Sequence, residues 1–382
     1  PTRRSSDLRA TQRVCNHQTP GQLMPTGKYI AVIGAGTAGS AAAIRLRQLG
    51  HRVLLIERSE TSDLQIGESV PGAILRPLQT LGFRSLEDLL SPEEFRKCPA
   101  IASSWGEDEW YFKDSFRNPE GGGWQILRHR FDVKLRKRAL EMGCEWLEGS
   151  FERLETGKNQ PQLVIRKPGG STETISVESI IDASGRNSKL IKQLNIKKNR
   201  SHEQAAVYTW LKIPGDALPV SRLKTEEKGW WYTSLLPDEL RVVSFHCLPE
   251  TAREYQRNPE LFAAALNATG MLPQSVSAGQ FVKPLQARDA STALASKICG
   301  ANWVAVGDAA LSFDPISAQG IFFALYSAIR GAEALVSENR AFPQAYEAQV
   351  RQIAHTNNSL RMQYYTSELR YLETPYWKQY FR

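Results

Sequence analysis

The chain has 382 residues, 41% of them hydrophobic and 23% charged, with a formal net charge of +8. That length suits two domains or two interleaved lobes, and that composition is ordinary for a folded protein, so disorder is not the expectation. No apolar run approaches a membrane span, no signal-peptide pattern appears and no nucleic-acid-binding motif accompanies the charge, so neither an integral membrane segment nor a nucleic-acid partner is expected.

Residues 1–23, opening with PTRRSSDL, read as a non-native leader ahead of a start at Met24. They hold Arg3, Arg4, Arg9 and Arg13 against Asp7, so the rest of the chain carries +5. KYIAVIGAG (28–36) is a buried strand entering glycines, TAGSAAAIRLRQLG (37–50) a helix closed by Gly50, and HRVLLIER (51–58) a second buried strand. Strand, turn, helix and strand begin a doubly wound parallel sheet. Residues 69–96 read as helical with a break near Gly82. Aromatic strands follow at 103–112, then an amphipathic helix at 130–143, and strands in CEWLEGSFERLE and PQLVIRK lead to SIIDASG. AAVYTWLKI, GWWYTSLLP and LRVVSFHCL alternate as one antiparallel sheet. A helix at about 251–268, the strand NWVAVGD, a small-residue helix at about 318–337 and a helical tail rich in Tyr and Trp complete the chain. Cys15, Cys98, Cys144, Cys247 and Cys299 are isolated, which argues against a disulfide framework or a zinc site and suits a reducing cytoplasm; no metal is expected.

Gly34, Gly36 and Gly39 form G-x-G-x-x-G between the first strand and the first helix. The first two glycines allow a tight turn and close approach of a diphosphate, and the third lets helix and strand pack. The anion then meets a helix N-terminus, where unpaired N–H groups and the dipole favour negative charge. Glu57 ends the second strand 18 residues after Gly39, placed to accept both hydroxyls of a ribose, with Arg58 beside it. GDAALSFDPISAQGI (307–321) says which dinucleotide. Asp308, at a strand's C-terminal edge, is placed to accept hydrogen bonds from a polyol such as ribityl. Pro315 stiffens the next turn, and Ser317, Gln319, Gly320 and Ile321 open the following helix. Its first N–H groups would stabilise negative charge at one side of a reduced isoalloxazine. A nicotinamide dinucleotide needs no such second site; FAD does.

GAGTAG with its Glu57, GES (67–69), LRHRFD (127–132), DASGR (182–186) and the 307–321 stretch run in this order over nearly the whole chain from Met24. The order resembles the FAD-dependent aromatic hydroxylases of the para-hydroxybenzoate hydroxylase superfamily. Within it the chain is most similar to the tryptophan-halogenase-like branch, which includes flavoprotein monooxygenases that mature protein-derived quinone cofactors. The tail YYTSELRYLETPYWKQYFR (364–382) is similar to the ending of those maturation flavoproteins.

The resemblance implies an α/β fold: a Rossmann-like FAD-binding domain with a doubly wound sheet, interleaved with a β-rich substrate domain, plus C-terminal helices. The expected bounds are 24–101, 125–200 and 275–340 for the first, 102–124 and 201–274 for the second, and 341–382 for the helical tail. It further implies that Gly67, Glu68 and Ser69 line the flavin or its ribityl chain, that Arg128 meets the phosphate region, and that Asp182, Gly185 and Arg186 form a second nucleotide-side motif. The implied reactants are FAD, molecular oxygen, and NAD(P)H used directly or through a separate flavin reductase. Hydroxylases that bind NAD(P)H themselves carry Asp-Gly where this chain has Ser184-Gly185, which favours a reductase partner.

The implied chemistry is oxygen transfer from a flavin hydroperoxide to an electron-rich aromatic ring, on a small molecule or on a Trp or Tyr side chain of a partner protein. Halogenation and isoprenoid reduction are the alternatives. Halogenases carry W-x-W-x-I-P where this chain has YTSLLP (232–237), and their glutamate beside the flavin falls on Ser317. Their catalytic lysine falls on Lys97, which either orients a hypohalite or pairs with Glu93 or Glu94. His246 is the candidate base, because histidine exchanges protons near neutral pH. Trp105, Trp210, Trp231 and Phe245, with Trp230 beside them, are the candidate walls of a substrate pocket. Alternation separates Trp231 from Trp230 and leaves open which face is inside.

Overall fold

The computed structural model describes residues 28–59, 64–114, 121–156, 160–216, 218–339 and 341–381. The leader at 1–23, Met24 and Cys15 lie outside them. Nine α-helices occur among the described residues: α1 (Thr37–Gln48), α2 (Leu75–Thr80), α3 (Arg128–Glu141), α4 (Lys189–Gln193), α5 (Pro249–Arg257), α6 (Pro259–Ala268), α7 (Gly320–Val336), α8 (Phe342–Thr366) and α9 (Pro375–Lys378).

Ile30–Ile33 is the middle of a five-stranded parallel sheet. Val53–Glu57 and then Glu145–Glu148 lie on one side, Ser179–Asp182 and then Trp303–Ala305 on the other. These strands read as unbroken apolar runs because a parallel sheet is covered on both faces. α1 packs between α3 and α7, and small residues permit the close approach: Ala41, Ala42 and Ala43 of α1 and Ala328 and Ala332 of α7 are fully buried. A Cβ on Gly331 would come within 2.5 Å of Val306 Cγ1, so α7 lies directly on the last strand of the sheet.

The second layer is a seven-stranded sheet in the order Gln286–Asp289, Ala205–Lys212, Leu240–Cys247, Gly229–Leu235, Ser221–Glu226, Ala100–Ser104, Tyr111–Asp114. Its pairs are antiparallel except that Ser221–Glu226 runs parallel to Ala100–Ser104. Its strands come from two separate stretches of chain, flanked in sequence by strands of the parallel sheet, so the two lobes are interleaved. On one face Val207, Trp231, Val243 and Phe245 pack against Tyr255 of α5 and Phe262 of α6. On the other, Tyr208, Trp210 and Val242 meet Leu64, Ile66 and Leu127 from the glycine-motif lobe.

Three local expectations are corrected. Residues 69–96 form no long helix: Pro71 ends the strand Ser69–Val70 ahead of a three-residue turn and the short helix α2, which stops at the expected break where Gly82 has φ +94°, and Pro92 opens another three-residue turn before the strand Phe95–Cys98. The helix at 251–268 is two helices, since Pro259 lacks an N–H and Asn258 caps α6 through Leu261 N at 3.3 Å. The amphipathic helix begins at Arg128, two residues early, so Arg128 sits in its first turn.

Candidate functional site

The nucleotide end is built on three glycines with different duties. Gly34 has φ +101°, and a Cβ there would meet Ala183 O at 2.5 Å; a Cβ on Gly39 would meet Gly34 O at 1.7 Å. Both positions exclude any side chain for reasons internal to the fold. Gly36 differs: its Cβ would meet nothing within 4 Å, so open space lies before the N-terminus of α1. Glu57 closes this end, with Oε2 accepting Ala35 N–H and Oε1 accepting Arg58 N–H, each at 2.8 Å; the Arg58 side chain is exposed. Thr37, the first residue of α1, donates to Asp132, whose other oxygen accepts Arg128 Nε at 3.1 Å. Arg128 also reaches Gly67 O at 3.4 Å, which ties the 67–69 segment to the first turn of α1.

Asp182 is a correction. It is fully buried, and its two oxygens already accept Ser184 N–H at 3.0 Å, Ser184 Oγ–H at 2.6 Å, Leu190 N–H at 3.0 Å and Ile191 N–H at 3.2 Å. It braces the Gly185 turn and starts α4, with no lone pair turned outward. Arg186 leaves that turn to donate to Ser291 O and Phe313 O, both at 2.7 Å, and stands 3.6 Å from Asp308 Oδ2. Lys198 donates to Asp308 O at 2.7 Å, and burial brings its pKa down to about 8. Two cations thus fix Asp308, whose side chain remains 37% exposed and able to accept a ligand.

The 313–321 segment opens α7 later than expected. Ser317 N–H and Ala318 N–H are used on Asp314 O and Pro315 O at 3.2 and 3.0 Å, in a three-residue turn stiffened by Pro315. Ala318 has φ +49°, Gln319 precedes the helix, and the first donors without an intrahelical acceptor are those of Gly320, Ile321 and the next residue. Gly320 has no neighbour within 4 Å of an added Cβ. An open diphosphate cradle at α1, a fixed carboxylate for a ribose, a half-exposed acid for a polyol and a free helix N-terminus at α7 together fit an extended flavin dinucleotide.

Where the two lobes meet, Glu68 is buried, with Gly67 N–H donating to Oε2 at 2.8 Å. Burial pushes its carboxyl above the usual range, against the pull of that N–H, of Tyr232 and of Arg128. The Tyr232 hydroxyl is buried beside Glu68, Ser221 and Ser234 but forms no well-aligned hydrogen bond with any of them, and Gln125 Oε1 is unpaired. Around them Ser221 Oγ contacts Ser234 Oγ at 2.9 Å and accepts Gln125 Nε2 at 3.0 Å, while Ser69 Oγ accepts the same amide at 3.4 Å. Sequence reasoning noted Tyr232 only as a departure from a motif and missed Gln125. Register was the available signal: Tyr208, Ser244 and Tyr232 form one cross-strand row on the lobe-facing side.

The expected pocket residues are not brought together. Trp210 lies on the lobe-facing side, edge-on to Tyr208 at 5.5 Å. Trp231 and Phe245 lie on the opposite face under α5 and α6, and Trp105 belongs to an aromatic cluster with Trp230, Tyr365 and Trp377. His246 stacks on Trp230 with centroids 3.8 Å apart and contacts Ser244 Oγ through Nε2 at 3.0 Å. Burial brings its pKa down to about 3, which makes it a poor base near neutral pH. Lys97 is exposed on the edge strand Phe95–Cys98, and Glu94 is taken by Lys134 and, at 3.8 Å, by Arg130.

The family model described as tryptophan halogenase matches residues 113–381, and that of an NAD(P)-binding Rossmann-like domain matches residues 32–62. LodB of Marinomonas mediterranea, named as an FAD-dependent oxidoreductase, is 29% identical over 359 residues, covering 91% of this chain and 95% of its own. Two solved structures share the fold. CmlS, a flavin-dependent halogenase, has a TM-score of 0.81 at 22% identity, over 93% of this chain and 68% of its own. QhpG, a peptidyl tryptophan dihydroxylase essential for tryptophylquinone cofactor biogenesis, has a TM-score of 0.74 at 21% identity, over 92% of this chain and 78% of its own.

Proposed function

The chain belongs to the tryptophan halogenase family, and from that premise we propose that it is an FAD-dependent monooxygenase that hydroxylates an electron-rich aromatic ring, carried as a Trp or Tyr side chain on a partner protein. The observation that carries hydroxylation over halogenation is the lobe-facing side of the substrate sheet. Tyr232 and Ser234 stand there where the halogenase motif has tryptophans, and Lys97 is exposed on an edge strand. A lysine open to water is poorly placed to guide a hypohalite, which needs an enclosed path. The likeness in fold to QhpG supports a peptide-borne ring, and Ser184-Gly185 supports reduction through a separate flavin reductase using NAD(P)H.

Bound FAD, once reduced, supplies the activation of molecular oxygen. The α1 N-terminus and Arg128 would hold the diphosphate, Glu57 the ribose and Asp308 the ribityl chain, and the α7 N-terminus would stabilise negative charge on the ring. Tyr208, Trp210, Leu64, Ile66 and Leu127 keep water from the lobe interface. Glu68 and Tyr232 face that interface: burial favours the protonated form of the Glu68 carboxyl, so it can exchange a proton, and the Tyr232 hydroxyl, which makes no well-aligned bond, can donate a hydrogen bond to a substrate. The test supplies a flavin reductase, NADH, oxygen and bromide with Trp- and Tyr-containing peptides and free phenols. A product heavier by one oxygen atom is expected; a brominated product, with its paired isotope pattern, would move the chain to the halogenases.

A further inference from the structure

Asp314, inside the segment read above as meeting the flavin ring, is fully buried, and its carboxylate ties that segment to the C-terminal tail. Oδ1 accepts Ile316 N–H at 3.0 Å, the contact that shapes the 315–317 turn. Oδ2 accepts the Tyr365 hydroxyl of α8 at 2.9 Å and lies 3.1 Å from His202 Nε2. His202 Nδ1 is in contact with the Arg361 guanidinium, which only donates, so Nδ1 is the accepting nitrogen and the ring proton is assigned to Nε2, which stands close to Asp314 without an aligned hydrogen bond to it. Arg361, His202 and Asp314 therefore form a buried line from cation through neutral imidazole to carboxylate, with α8 at one end and the flavin turn at the other.

The Tyr365 hydroxyl accepts Trp230 Nε1–H at 2.9 Å, which leaves its own proton for Asp314 or for Gln204 Oε1 at 3.1 Å. The carboxylate is the stronger acceptor, and Gln204 Oε1 is already supplied by Tyr376 at 2.6 Å. The Tyr365 ring stacks on Tyr380 at 3.9 Å and meets Trp105 edge-on at 5.5 Å, while Ile316 of the turn packs against the same cluster. Tail and turn are thus joined by one polar contact set inside one aromatic box.

We propose that Tyr365, with the His202–Arg361 pair, is a positioning latch that sets Asp314 and hence the 315–321 turn, so that docking of the tail and binding of the flavin strengthen one another. This rests on the flavin reading of that turn. Coupling of this kind is reciprocal: the factor by which a docked tail tightens FAD binding is the factor by which FAD tightens tail docking.

The experiment titrates FAD into the whole chain, the Tyr365→Phe variant and the Tyr376→Phe variant, and follows amide hydrogen exchange across 362–381 with and without FAD. Tyr365→Phe keeps the stacked ring and removes the hydroxyl that serves Asp314 and also accepts Trp230 Nε1–H, whereas Tyr376→Phe removes one directed at Gln204 and leaves Asp314 its partner. In the unaltered chain FAD should slow exchange in the tail. Tyr365→Phe should raise the FAD Kd about 3- to 10-fold, the scale of one lost hydrogen bond to a charged acceptor, and lose the same factor of FAD-induced protection. Tyr376→Phe should bind FAD as the unaltered chain does. Unchanged tail exchange on FAD binding in the unaltered chain, which needs no variant to fold, overturns the latch and leaves the flavin reading standing, as does an unchanged Kd in Tyr365→Phe. Failure of the unaltered chain to bind FAD removes both.

Discussion

Stacked on Trp230 and sealed in the sheet, His246 is a histidine whose proton affinity is set by burial, the cause that brings its pKa from 6.5 to about 3. Between those two values the unfolded chain binds a proton that the folded chain refuses, so stability falls as pH drops below 6.5 and the loss is complete near 3. From pH 7 to pH 5 this single residue should cost about 2 kcal/mol of folding stability. Urea unfolding of the unaltered chain and of His246→Gln at both pH values checks it: the variant should lack that share of the acid sensitivity. Equal loss in both proteins would place the sensitivity elsewhere. The same desolvation acts on Glu68 with opposite sign, raising its pKa, and the two residues differ in where they face. His246 points into the aromatic cluster beside the tail, Glu68 to the lobe interface beside Tyr232.

At the scale of elements, the strand-to-α1 turn separates what the fold needs from what a ligand needs. Gly39→Ala would drive a Cβ into Gly34 O and should disrupt the lobe outright, whereas Gly36→Ala meets no protein atom within 4 Å. Gly36→Ala should therefore melt like the unaltered apoprotein yet bind FAD at least 10-fold more weakly, about 1.4 kcal/mol, because its methyl group would fill the open space proposed to receive the diphosphate. Calorimetry of the apoprotein and an FAD titration measure the two halves, and unaltered FAD affinity in that variant would place the cofactor elsewhere. This turn was legible in the sequence because its signal is local: a strand, a helix and an acid at fixed spacing. The parallel sheet and the interleaving of a β-rich lobe were legible for a related reason, as unbroken apolar runs and alternating ones. The faces of the substrate sheet were not. Alternation divides Trp230 from Trp231 but carries no mark of which side α5 and α6 will cover, and that packing put Trp231 and Phe245 away from the other lobe. Asp182 misled differently, since an acid after a buried strand looks the same whether it serves a ligand or the N-terminus of α4. The 69–96 stretch shows the limit of periodicity where Pro71, Gly82 and Pro92 interrupt it.

Seen whole, the molecule sets a dinucleotide-type parallel sheet against an aromatic, mostly antiparallel one, with a seam of Glu68, Tyr232, Gln125 and Ser221 between them and a C-terminal segment packed beside the 313–321 turn. No helix among the described residues is long and apolar enough to cross a membrane. In the proposed reaction the parallel-sheet lobe would hold FAD, which would supply the oxygen activation, while the other lobe would hold the ring and keep water out. The most direct measurement supplies isotopically labelled molecular oxygen to the FAD-loaded, reductase-driven enzyme with a Trp- or Tyr-bearing protein substrate and follows the label by mass spectrometry. Label in the aromatic ring, in step with oxygen consumed, is the predicted result. Label released wholly as hydrogen peroxide across such substrates, or a product formed equally well without oxygen, would contradict the assignment of this chain as an aromatic monooxygenase.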